Sequence, residues 1–185
     1  MSNAKDVIEW RRFGHWNSSA AKARFSAFVL WNLRGDALIG KMADECGHQR
    51  GDEDLAVSEA FRRESAVALE LVIKAVIAHK LQTRGADPAT ESVPATHDIP
   101  KLWLDAGLPD LPRQDLYRLH LAKSILMWSG RYATPRTAKA WEEENKAFDA
   151  LEDPVPEPGK IVFRKPITMS WAEFDRLYQI AQSFL

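Results

Sequence analysis

Wherever the apolar residues of this chain repeat, they repeat at helical spacing, and no stretch alternates apolar with polar residues for long enough to build a sheet. That pattern predicts an all-α protein. Most connections between the periodic segments are short, and an antiparallel helical bundle is the simplest way to join them. Phe25, Phe28, Val29 and Leu33 fall on one face of a helix expected from about Ser18 to about Cys46, with Asn17 or Ser18 as cap. Gly35 and Gly40 mark a kink or break within it. A second long helix is expected from about Asp52 to about Thr83. Leu69, Val72, Ile73, Val76 and Ile77 form its apolar stripe, and Arg84-Gly85 ends it. Glu70 and Lys74 on this helix read as a surface i, i+4 ion pair.

Shorter elements follow. A helix over about Asp98 to Ala106 has Thr96 or Asp98 as cap and Pro100 in its first turn, and Gly107 stops it. Asp110 and Pro112 open another helix, lined by Leu116, Leu119, Ala122 and Leu126 and closed by Gly130. Residues 137 to 150 form a further helix. Residues 151 to 167 hold four prolines around a short extended piece at Ile161 to Phe163. The last helix begins with a capping box, Ser170-Trp-Ala-Glu173, and carries Phe174, Leu177, Tyr178 and Ala181 as its stripe. With 185 residues the expectation is one domain over 1–185, with a bundle core over about 18–150 and a proline-rich loop plus helix over 151–185.

The bulk numbers exclude more than they assign. Hydrophobic residues at 45% and charged residues at 28% describe an ordinary globular chain. One cysteine, Cys46, leaves no intrachain disulfide and favours a reducing compartment. No secretory signal is apparent, so a cytoplasmic location is expected. The longest apolar run, Phe25 to Leu33, is far short of the roughly 20 residues of a membrane span, so no membrane partner is expected.

Charge is distributed unevenly. The whole chain has a formal net charge of -1, yet between Arg113 and Lys139 there are six Lys or Arg, one acid (Asp115) and His120. Such a local surplus points to an anionic ligand. From Met42 to Glu70 eight acids face three arginines, which favours two-fold or head-to-tail self-association. His97, His120 and Arg131 are the side chains best suited to phosphate chemistry. Arginine grips phosphate through two parallel hydrogen bonds, and histidine can move a proton near neutrality. The competing explanation for the basic residues is a solvated helix face. For Asp98 it is the helix cap, and for His97 a hydrogen bond that ties its loop to the bundle. Trp10 and Trp16, set among Arg11, Arg12 and His15, read either as a base-stacking arm or as an arm folded on the bundle.

Together, Glu64-Ser-Ala-Val-Ala-Leu-Glu-Leu-Val-Ile-Lys74, then Thr96-His97-Asp98-Ile99-Pro100-Lys-Leu102, then a helix ending at Arg131-Tyr132 resemble a HEPN domain (higher eukaryotes and prokaryotes nucleotide-binding) over about residues 55–136. The resemblance implies a bundle of four or five helices, commonly dimeric. It also implies an RNA- or nucleotide-binding role in prokaryotic toxin–antitoxin, phage-defence or RNA-processing settings, sometimes beside a nucleotidyltransferase partner. Catalytic members are metal-independent ribonucleases with an arginine and a histidine that have four to six residues between them, paired across a homodimer. Here no histidine follows His120. The matching pair is Arg113 and His120, with Gln114 where the family usually has a small polar residue. The resemblance thus nominates Arg113 and His120 as catalytic residues and Lys123, Arg131, Tyr132, Arg136 and His97 as ligand-binding ones. A non-catalytic relative, or a helical adaptor of antitoxin type, fits the same segments.

Other chemistries lack their residues. The histidines never form helical i, i+4 pairs, Cys46 has no zinc-spaced partners, and neither a glycine-rich phosphate loop nor a Gly-x-Ser-x-Gly elbow occurs. No metal and no cofactor is expected.

Overall fold

The computed structural model describes residues 13–48, 51–87, 90–129, 138–151 and 167–185. Among these the chain is all-helical, without a strand. The α-helices are α1 (Phe13–Leu33), α2 (Ala37–Cys46), α3 (Glu53–Thr83), α4 (Ile99–Asp105), α5 (Arg113–Ser124), α6 (Ala138–Leu151) and α7 (Trp171–Gln182). A single π-helical turn, Ile125–Ser129, extends α5.

The centre of the molecule is α3, 31 residues long. It packs along α1 and also touches α2, α4, α5, the π turn and α7. Phe13 meets the His79 ring at one end of α1 and Trp31 meets Phe61 at the other, so α1 and α3 run antiparallel. From Ser65 to Ala78 nearly every α3 side chain is buried. A helix enclosed all round needs apolar residues all round, and the Ala-Val-Leu-Ile composition of this stretch supplies them. Of the expected stripe, Leu69, Val72, Ile73 and Val76 are fully buried and Ile77 is partly buried. They join Ile99, Leu102 and Trp103 of α4, Leu119 and Ala122 of α5, and Phe174, Leu177 and Tyr178 of α7 in one core.

Several local signals behave as the residues require. The capping box is present, with Ser170 accepting from the Glu173 amide and Glu173 from the Ser170 amide. Asp98 caps α4, accepting from the Lys101 amide. Gly107, at φ +60, turns the chain after α4. There Lys80 Nζ donates to the Ala106 carbonyl at 2.5 Å, and a Cβ on residue 107 would sit 3.3 Å from that nitrogen. Glycine therefore answers both backbone and space at that position. The terminal helix α7 is part of the core: Arg24 of α1 pairs with Asp175 at 2.6 Å and lies over the Trp171 and Tyr178 rings.

Four expectations are corrected. The first helix is already formed at Phe13, so neither Asn17 nor Ser18 caps it. The break expected at Gly35 or Gly40 falls at Gly35: α1 ends at Leu33, Gly35 takes φ +71 and Asp36 caps a separate α2. Of the expected stripe, Phe25, Phe28 and Val29 are exposed, Phe25 to 68%, with Phe28 edge-on to Trp171 of α7, and Leu33 is half-buried. The buried face of α1 is Ala20, Ala23 and Ala27. Small residues let two helix backbones approach closely, and the length of the α1–α3 contact rewards that approach over burial of two aromatic rings. Glu70 and Lys74 are buried. Finally, α5 starts at Arg113 with Pro112 in the cap position, so Asp110 lies outside it. The expectations at Gly130 and at Ile161 to Phe163 fall outside the described residues.

The reversed face of α1 yields a paired test. Ala27→Leu overpacks the α1–α3 contact and is expected to cost about 1–3 kcal/mol. Phe25→Ala is expected to change stability by no more than about 0.5 kcal/mol. Urea unfolding of both variants measures the contrast.

Candidate functional site

Buried polar side chains are few among the described residues, and one pair of them, Glu70 and Lys74, lies where α3 and the start of α4 meet. Glu70 and Lys74 are 7% and 5% exposed. One helical turn apart on α3, they share a face, and Lys74 Nζ sits 2.5 Å from Glu70 Oε1. The other carboxylate oxygen, Oε2, accepts from His97 Nδ1 at 2.9 Å. A carboxylate ion-paired with lysine only accepts hydrogen bonds, so Nδ1 carries the imidazole proton in this contact. The Trp16 ring of α1 lies 5.4 Å from the Lys74 ammonium, and the indole Nε1 of Trp16 is buried without a hydrogen-bond partner. Trp16 is thus seated on the bundle as part of the helix α1.

The imidazole of His97 is about half exposed. Its loop is held at both sides. Asp98 N donates to Thr96 Oγ1, and the Asp98 carboxylate caps α4 while accepting from Lys123 Nζ at 2.8 Å. Partial burial pushes the Asp98 carboxyl upward. The hydrogen bonds from Lys123 and the Lys101 amide, with the charges of Lys123 and His120, outweigh it and leave the carboxyl below its usual 3.8. Lys123 of α5 thus reaches the cap of α4, one residue along the chain from His97. Next to Lys101 the i, i+4 pair Lys101–Asp105 is closed at 2.5 Å.

The other nominated residues lie elsewhere. Arg113 and His120, two turns apart on α5, both face α6: Arg113 Nη2 donates to the Ala150 carbonyl at 2.9 Å, and the His120 and Tyr117 rings pack near Phe148. Arg131, Tyr132 and Arg136 fall outside the described residues. Of the remaining cations counted in the basic segment, Arg118 is a structural hub. It bonds Asp115 at 2.9 Å, Glu173 at 3.2 Å and the Thr168 carbonyl at 3.0 Å, tying α5 to the start of α7. Arg176 meets the same Asp115 oxygen. The raw count of positive residues thus overstates the charge available to a ligand, since Arg118 and Lys123 are neutralised by carboxylates.

Sequence reasoning nominated His97, His120 and Lys123, read Trp16 either as part of a base-stacking arm or of an arm on the bundle, and read Glu70 and Lys74 as a surface pair. The i, i+4 spacing of Glu70 and Lys74 was visible; their position on the enclosed length of α3 was not. Among the described residues no group of three or more His, Cys, Asp or Glu is arranged to hold a metal ion.

Two tests follow from this geometry. Lys74→Ala leaves a buried carboxylate without its cation and is expected to cost about 3–5 kcal/mol, most of which the double change Glu70→Leu with Lys74→Met should recover. Chemical denaturation of the three variants reads this out. For Asp98, a lowered folded-state pKa means stability present above the unfolded value and lost as pH falls through the folded one. Asp98→Asn preserves a capping oxygen and removes the charge. It should be less stable than the parent at neutral pH, with the gap closing below pH 3.8 in a thermal-unfolding series. No protein-family model, no curated protein and no solved structure matches this chain, so its function is read from the chemistry of these side chains.

Proposed function

We propose that this chain is a HEPN-like helical protein that binds RNA or a nucleotide through its phosphates, at the junction of α3, α4 and α5. One observation carries the reading: the half-exposed His97 imidazole, held at Nδ1 by Glu70, stands next in the chain to Asp98, which Lys123 of α5 engages at 2.8 Å. An imidazole and an ammonium at one junction are donors suited to phosphate oxygens. Arg131, Tyr132 and Arg136 belong to the same reading as further ligand contacts. A homodimer, as in a toxin–antitoxin or defence component, is part of it, and a nucleotidyltransferase is a fitting partner. The ribonuclease alternative, with Arg113 and His120 as the reacting pair, asks more of the molecule, because Arg113 already donates to Ala150 on α6.

A second reading has its own observation. Phe25, Phe28, Leu38, Met42 and Leu55 are exposed on α1, α2 and the start of α3. Apolar side chains left outside in this number favour a protein-interaction module.

The readings separate in one experiment. A fluorescein-labelled single-stranded RNA should bind at low salt, weaken steeply as salt rises, and lose affinity on Lys123→Ala with His120→Ala. Cleaved RNA in the presence of a chelator would favour the ribonuclease. No binding at low salt, together with a dimer that Phe25→Ser disperses in light scattering, would replace the RNA reading with the interaction module.

A further inference from the structure

The charges at the junction of α3, α4 and α5 are arranged in closed pairs. Glu70 is matched by Lys74, Asp98 by Lys123, and Asp105 by Lys101. From α1 the neighbour is the Trp16 ring, which brings no charge. From α6 Phe148 lies against His120, whose own charge reaches Asp98. His97 is the histidine whose ring this junction holds. Its Nδ1 is committed to Glu70, and among the described residues Nε2 has no partner. In the neutral ring Nε2 only accepts hydrogen bonds. In the charged ring it donates one.

The Glu70–Lys74 pair itself calls for a purpose. Burying an ion pair costs about as much in desolvation as the attraction returns, so packed apolar side chains would stabilise α3 equally well. What the pair adds is a carboxylate fixed by Lys74 at one oxygen and presenting the other to His97. That hydrogen bond fixes the tautomer and the ring plane, as a hydrogen-bonded acid does for a working histidine.

Resting on the RNA-binding reading above, we propose that this junction captures an RNA phosphate together with a proton. Protonated His97, held at Nδ1 by Glu70, presents Nε2–H to a phosphodiester oxygen. No bond is broken; one proton moves from solvent to His97 as the complex forms. Glu70 and Lys74 are positioning residues, and His97 is the contact.

The test is the affinity for fluorescein-labelled single-stranded RNA between about pH 6 and about pH 8, a range in which imidazoles titrate and a phosphodiester does not. Wild-type affinity should fall by up to about tenfold per pH unit on the alkaline side for each proton taken up. His97→Gln, at a half-exposed position, should bind weakly with a flat profile. His48→Gln, on an exposed residue away from the junction, should keep the wild-type slope and so remove the general contribution of histidine charge. Calorimetry in two buffers of different ionisation enthalpy should report proton uptake by the wild type and none by His97→Gln. Binding that is equally tight across the range, or a His97→Gln variant that retains the slope, overturns the proton-coupled capture and leaves RNA binding standing. Absence of binding at every pH and low salt overturns the RNA reading itself.

Discussion

Enclosure of α3 on all sides is the constraint from which the other features follow. A helix in that position can expose none of its middle turns, so any charged residue there must find its counter-charge inside. Glu70 and Lys74 do so within one helical turn, and the spare carboxylate oxygen is met by His97 from the loop before α4. That contact fixes the loop, the loop places Asp98 as the cap of α4, and Asp98 in turn engages Lys123 on α5. A single line of hydrogen bonds thereby connects the centre of the bundle to its rim.

The same logic separates the positive residues into two kinds. Arg118 and Arg176 are spent on Asp115 and Glu173, where they lock α5 to α7. Lys123 is paired with Asp98 at the rim, partly exposed. A charge count along the sequence treats these residues alike, whereas burial and pairing make them different objects. An ion network that joins two helices holds the bundle together; a half-exposed imidazole on a buried carboxylate is tied to the bundle through one nitrogen.

Much of the fold was legible locally. The Ser170–Glu173 capping box, the Asp98 cap, the stop at Gly107 and the stripe Leu69, Val72, Ile73, Val76 all follow from hydrogen-bonding capacity, backbone freedom and periodicity, which neighbouring residues settle among themselves. The site was legible in part. His97, His120 and Lys123 were visible as candidates because of their chemistry, and the role of His97 as a tie to the bundle was one of its two expected uses. Trp16 and the Glu70–Lys74 pair were not visible as neighbours of these residues, since nothing in the local pattern brings α1 and the middle of α3 to the loop before α4.

By itself the sequence determined that the chain is helical and where most helices start and stop. Only the tertiary structure decided which face each helix turns inward. On α1 it buried Ala20, Ala23 and Ala27 and left Phe25 outside, because close approach of two long helices returns more contact than two rings at wider spacing. On α3 it enclosed an ion pair that periodicity alone assigns to the surface. Burial is a property of the neighbours a residue acquires, and those come from distant parts of the chain.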